Sequence, residues 1–160
     1  MRAGHTLYFC IRRWRNKWGI LKAMSERSKK PLKADAIPER DLVCVVDDDQ
    51  SVREALPHLL REFGFSTKAF DSAEEFLKSG TISTAKCLIL DVAMPGMSGA
   101  ELHRELIASG HSVPVIFITA RPDPAKRQQL IKQGAVDCLF KPFSEQALKA
   151  SLDTAMGVRH

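Results

Sequence analysis

Residues 87–99, CLILDVAMPGMSG, constrain the fold more tightly than any other stretch of the chain. Cys87 to Leu90 is apolar without interruption, the pattern of a strand buried on both faces, as in a parallel sheet. Asp91 follows at once, and Pro95, Gly96 and Gly99 then break the chain into a loop. A carboxylate is thereby set at the carboxyl end of a central strand, the edge where open α/β sheets place their sites. One strand-end Asp reads equally well as a simple turn cap, so its meaning depends on the rest of the chain.

From Leu42 onward that surrounding pattern is regular. Leu42 to Val46 reads as a β-branched strand running into Asp47-Asp48-Asp49. Ser51 or Asp49 can cap a helix to about Phe63, with Val52, Leu56, Leu59, Leu60 and Phe63 at helical spacing, Pro57 inside it and Gly64 ending it. Phe65 to Phe70 reads as an alternating edge strand. A helix capped by Asp71 or Ser72 runs to about Ser79, and Thr81 to Lys86 reads as loop. After the strand at 87–91, Ser98 can cap a helix to about Ser109 with Leu102, Leu106 and Ile107 inward. Val113 to Ile118 is a fourth strand, ending at Thr119-Ala120. A helix over about Pro124 to Gln133 and a strand over Val136 to Phe140 follow. Ser144 then caps a last helix with Ala147, Leu148, Leu152 and Ala155 facing in. Strand and helix alternate five times, which implies an α/β fold with a parallel sheet, helices on both faces and right-handed crossovers.

The first 40 residues read differently. They hold 11 Lys/Arg and 3 Asp/Glu, a net +8, whereas residues 41–160 hold 13 and 16, a net −3. The overall charge of +5 and pI near 9.2 therefore belong to a basic leader. They do not argue for nucleic-acid binding by residues 41–157, the expected folded domain. The favoured reading of residues 1–40 is an unstructured tail, either a true leader or a translated region upstream of a start at Met24, whose second half is a disordered polar linker. A cationic helix with Trp14, Trp18 and Leu21 on one face is the alternative. No apolar run approaches the ~20 residues of a membrane span. Four cysteines without metal spacing, three of them in apolar runs, suggest reduced core thiols and a cytoplasmic protein.

At the carboxyl ends of the expected strands stand Asp47 and Asp48, then Asp91, Thr119 and Lys141. Parallel strands put all of them on one edge. Three carboxylates there repel one another unless a cation intervenes, and an all-oxygen set suits Mg²⁺. A lysine and a hydroxyl alongside suit a phosphoryl group. No nucleophilic triad, glycine-rich phosphate cradle or nucleotide fingerprint accompanies them.

The stretches VCVVDDDQSVREAL, CLILDVAMPGMSG, VIFITA and FKPF resemble the receiver domain of two-component response regulators, over residues 42–155. The wording is closest to receivers of nitrogen-fixation and LuxR-type regulators. The resemblance implies a CheY-like fold with strand order 2-1-3-4-5 and a cis bond before Pro142. It implies that Asp91 accepts phosphate from a sensor histidine kinase or phosphotransfer protein. Asp48, Asp91 and the backbone carbonyl of Ala93 would ligate Mg²⁺ directly, with Asp47 acting through water. Thr119 would be the switch hydroxyl and Lys141 the phosphate partner. The protein would be no enzyme in its own right but a stand-alone phosphorelay switch. It would signal by protein contacts to an unknown downstream target or by a phosphorylation-dependent dimer. The chain departs from the family at Cys138, where an aromatic switch residue is usual, and at Pro57. The alternatives are an unphosphorylated binding module and a truncated transcriptional regulator. A haloacid-dehalogenase-type phosphatase would need a second Asp where Ala93 stands, and the basic leader lacks a helix-turn-helix pattern, so no specific DNA binding is expected.

Overall fold

The computed structural model describes residues 39–158. The expectations for the leader fall almost wholly on residues outside the described ones. Five strands alternate with five helices: β1 (Leu42–Val46), α1 (Gln50–Glu62), β2 (Ser66–Phe70), α2 (Ala73–Lys78), β3 (Ala85–Asp91), α3 (Gly99–Ala108), β4 (Val115–Thr119), α4 (Pro124–Lys132), β5 (Asp137–Phe140) and α5 (Glu145–Ala155). The strands form one parallel sheet in the order β2-β1-β3-β4-β5, as expected, with helices on both faces.

Burial explains this order. Val43 to Val46, Cys87 to Leu90 and Ile116 to Ile118 are all fully buried, so the three central strands are covered on both faces. A strand of this kind cannot sit at an edge without exposing aliphatic surface worth about 1.5–3 kcal/mol per side chain. β2, with exposed Lys68 and Ala69, takes the edge next to β1. Each helix begins at a side-chain cap: Asp49, Ser72, Ser98, Asp123 and Ser144 each accept a backbone N–H of the first turn. Ser98 and Glu101 bond reciprocally as a capping box. Pro57 lies buried within α1, which continues past it to Glu62.

Five local expectations need correction. Thr81–Ser83 is a turn of 3₁₀-helix, and β3 starts at Ala85 rather than Cys87. Leu42 pairs with Ala85 and Val43 with Cys87, so Lys86 is the extra residue of a bulge and points outward. That exposed lysine broke the apolar pattern. β4 starts at Val115, because Pro114 has no N–H for the ladder, although its carbonyl accepts from Leu88 N–H at 2.9 Å. β5 starts one residue later than expected, at Asp137. On α3, Ile107 is 50% exposed while His103 is 4% exposed, edge-on to Phe117. The buried stripe runs Gly99, Leu102, His103, Leu106, a complete 3.6-period face that leaves Ile107 on its flank.

Candidate functional site

Asp47 follows β1, Asp91 ends β3, Thr119 ends β4 and Lys141 follows β5, so the parallel sheet delivers all four to one edge. One carboxylate oxygen from each of Asp47, Asp48 and Asp91 lies within 4.8 Å of the others. Asp47 is fully buried, Asp91 is nearly so, and Asp48 is exposed.

Lys141 organises the acidic group. Its ammonium donates to Asp47 Oδ2 at 2.9 Å and stands 3.9 Å from Asp91 Oδ1, with the side chain almost wholly buried. The other oxygen of Asp47 accepts the Asp49 N–H at 2.8 Å. Asp47 is thus engaged on both oxygens, whereas Asp48 faces solvent beside Asp91. Burial raises the pKa of Asp47 above the usual carboxylate range, although Lys141 pulls against it. Burial first, then the charge of Asp47, pushes Asp91 up to about 7 against the opposing pull of Lys141, and a hydrogen bond with Asp48 adds to the rise. Three carboxylates and one ammonium leave excess negative charge in a poorly solvated place. The donor atoms are all hard oxygens, so the set fits Mg²⁺ and suits no soft metal.

Thr119 Oγ turns toward its own loop. It accepts from Arg121 N–H at 3.2 Å and donates to Arg121 carbonyl at 3.4 Å. Lys141 N–H donates to the Thr119 carbonyl at 2.8 Å, which ties the ends of β4 and β5 together, and the Lys141-Pro142 bond is cis, as expected. Ala93 lies exposed on the loop after Asp91. Cys138 is not at the edge: it sits within β5, buried, paired with Phe117 of β4.

Four features of this region have no counterpart in the sequence reading. Arg53, from the first turn of α1, donates to the Asp47 carbonyl at 2.9 Å and braces the acidic loop. Gly99 starts α3 against the end of β3: a Cβ there would lie 2.0 Å from the Asp91 carbonyl oxygen. Its N–H donates to Val92 carbonyl at 3.1 Å, so the sequence signal at Gly99, read as a breaker, marks a close approach. Glu74 of α2 accepts the Met97 N–H at 3.0 Å. Arg127 of α4 reaches the Cys138 carbonyl at 3.1 Å and Asp137 at 2.8 Å, and Ser151 of α5 donates to the second oxygen of Asp137 at 2.9 Å. Arg53 lies six residues beyond Asp47, a spacing a helix start can exploit; Glu74 lies 23 residues from its partner and carries no local signal.

The chain matches a family model described as the response regulator receiver domain over residues 43–153. It is 41% identical over 118 residues to the response regulator protein TmoT of Ectopseudomonas mendocina, covering 74% of this chain and 54% of that protein. A solved structure of the response regulator StyR matches with 44% identity and a TM-score of 0.69, covering 74% of this chain and 60% of that one. The FixJ-N crystal structure matches with 33% identity and a TM-score of 0.67, covering 77% of this chain and 98% of that one. The chain spans about half the length of the curated relatives it matches. Among the described residues, no helix is long and apolar enough to cross a membrane.

Proposed function

The chain belongs to the response regulator receiver domain family of two-component signal transduction, and from that premise we propose that Asp91 accepts a phosphoryl group from a sensor histidine kinase or phosphotransfer protein. The observation that carries the reading is the buried Lys141 ammonium held between Asp47 and Asp91, at 2.9 and 3.9 Å.

In this mechanism an oxygen of Asp91 attacks phosphorus in line with the departing imidazole nitrogen. The P–N bond breaks as the acyl phosphate O–P bond forms, and the imidazole leaves with the electron pair. Asp48, Asp91 and the Ala93 carbonyl would hold Mg²⁺, with Asp47 through water, and the cation when bound neutralises charge on the phosphoryl oxygens. Lys141 adds a second positive charge and favours the ionised, nucleophilic form of Asp91 over the protonated form that burial favours. Asp47, held by Lys141 and the Asp49 amide, keeps the lysine aimed at the acceptor. After transfer, Lys141 turns from the carboxylates toward a phosphoryl oxygen. Thr119 releases the Arg121 backbone to donate to another, so the loop at 120–124 must rearrange. That rearrangement is the differential contact a population shift requires.

The protein in this reading is the substrate of a kinase and a switch, not an enzyme. Its output is a changed protein contact on α4, β5 and α5, including self-association. The test is intact mass after incubation with a small phosphodonor and Mg²⁺. A gain of one phosphate by the wild type and none by Asp91→Asn is expected. Equal gain by the variant overturns the assignment, and no gain by either favours an unphosphorylated binding module.

A further inference from the structure

The loop at 92–98 carries the Ala93 carbonyl out from the end of β3, and its two ends are secured differently. At the far end the capping box of Ser98 and Glu101 and the Gly99 N–H to Val92 carbonyl bond close the loop on itself. In the middle of the loop Met94 buries its side chain in the core. A polar tie to another element comes from α2, where Glu74 Oε1 accepts the Met97 N–H near the start of α3. Gly96, at φ +72°, makes room for it: a Cβ there would stand 2.8 Å from the same oxygen. A left-handed glycine, a bare amide and a carboxylate from another element are thus fitted to one another at an exposed place where α2 needs no carboxylate for its own sake. The helix is already capped by Ser72, and its first turn already holds Glu75.

We propose that Glu74 is a positioning residue for phosphoryl transfer: its hydrogen bond to the Met97 amide latches the loop after Asp91, so that the Ala93 carbonyl stands ready beside Asp48 and Asp91 for Mg²⁺. This rests on the reading of Asp91, Asp48 and the Ala93 carbonyl given above. Glu74 touches neither the cation nor the phosphoryl group; it removes freedom that the loop would otherwise lose on binding. The hydrogen bond also holds the Glu74 carboxyl below its ordinary pKa.

The test compares Glu74→Ala, which deletes the acceptor, with Glu74→Gln, which keeps an acceptor oxygen and removes the charge. Two quantities are measured on the full chain: exchange of the Met97 amide in EDTA, and the Mg²⁺ dissociation constant by titration of amide shifts. Glu74→Ala should speed Met97 exchange and weaken Mg²⁺ about three- to tenfold, the loss of one outer hydrogen bond. Glu74→Gln should stay within about twofold of wild type. Gly96→Ala, which crowds the acceptor, should weaken Mg²⁺ in the wild-type background and less so beside Glu74→Ala. If Gln weakens binding as much as Ala, the effect is long-range charge and the latch is overturned. If wild type takes phosphate on Asp91 and Glu74→Ala binds Mg²⁺ as well as wild type does, the latch fails and the phosphoacceptor reading stands. Absence of Mg²⁺ binding and of phosphate gain in the wild type overturns both.

Discussion

At the residue scale the site depends on close approach as much as on charge. The sheet sets Asp91 beside Asp47 and Lys141, and the chain then turns back from β3 into α3 so closely that Gly99 touches the Asp91 backbone. A methyl group there would meet backbone, which cannot swing aside as a side chain can. The Gly99→Ala variant should therefore lose about 3 kcal/mol of stability by denaturant unfolding, despite alanine's better helix propensity. Its phosphorylation rate should fall as well, since the atom displaced is the carbonyl of Asp91 itself. A midpoint unchanged from wild type would show that α3 can tilt away freely. The buried Asp47–Lys141 pair is a different kind of constraint. Its net stabilisation is small once desolvation is counted, but either partner left alone is costly. The pair holds a geometry more than it strengthens the fold.

At the element scale the region opposite the edge strand β2 is tied by polar contacts. Arg127, Asp137 and Ser151 join α4, β5 and α5 through one carboxylate. Burial raises the Asp137 pKa, but the Ser151 hydroxyl, the Cys138 amide and the Arg127 guanidinium together bring it below the usual carboxylate value. A lowered folded pKa means that the stabilisation is complete above the unfolded value of about 3.9 and is lost as pH falls through the folded one. Asp137→Asn should thus be less stable than wild type by about 1 kcal/mol at pH 7, the pair being partly exposed. The difference should shrink between pH 5 and pH 3 in urea melts at each pH. A difference independent of pH would show that the charge of Asp137 contributes nothing. This network also bears on signalling, because Arg127 grips the carbonyl of Cys138, where the family usually carries an aromatic. A cysteine has too little volume to gate a pocket, so the signal from Thr119 should pass through the loop at 120–124 and the start of α4. Amide shifts with and without beryllofluoride should be largest over residues 120–140, with a coupling at the low end of ~1–3 kcal/mol. Changes confined to α1 and α2 would contradict this, and Cys138→Tyr should strengthen the response.

At the scale of the whole molecule, every sheet pairing among the described residues is made inside residues 42–140, and their buried hydrophobic core lies within residues 43–152. A fragment of residues 41–157 therefore contains all the sheet pairings of the described residues. It should melt within about 2 °C of the full chain, a shift far below that of a lost core side chain, and take phosphate at the same rate. A markedly lower melting temperature would mean that residues 1–40 contribute to stability. The acidic cluster of Asp47, Asp48 and Asp91 lies within the fragment, so added Mg²⁺ should stabilise the fragment and the full chain to the same extent in thermal melts.

What the sequence by itself determined is the set of features that depend on neighbours along the chain. Alternation of strands and helices, the caps Ser98 and Ser144, and the strand-end places of Asp47, Asp48, Asp91, Thr119 and Lys141 follow from periodicity and from turn chemistry. Parallel pairing then puts those strand ends on one edge without further information. Tertiary structure alone decided the features that depend on distance across the fold. Lys141 chooses between two carboxylates, Glu74 reaches across 23 residues to an amide, and Lys86 bulges from β3. His103 rather than Ile107 goes inward on α3, because a helix face is settled by what it packs against and not by apolarity alone. None of these has a periodic signature, because the energy that selects each arises from a partner supplied by another element.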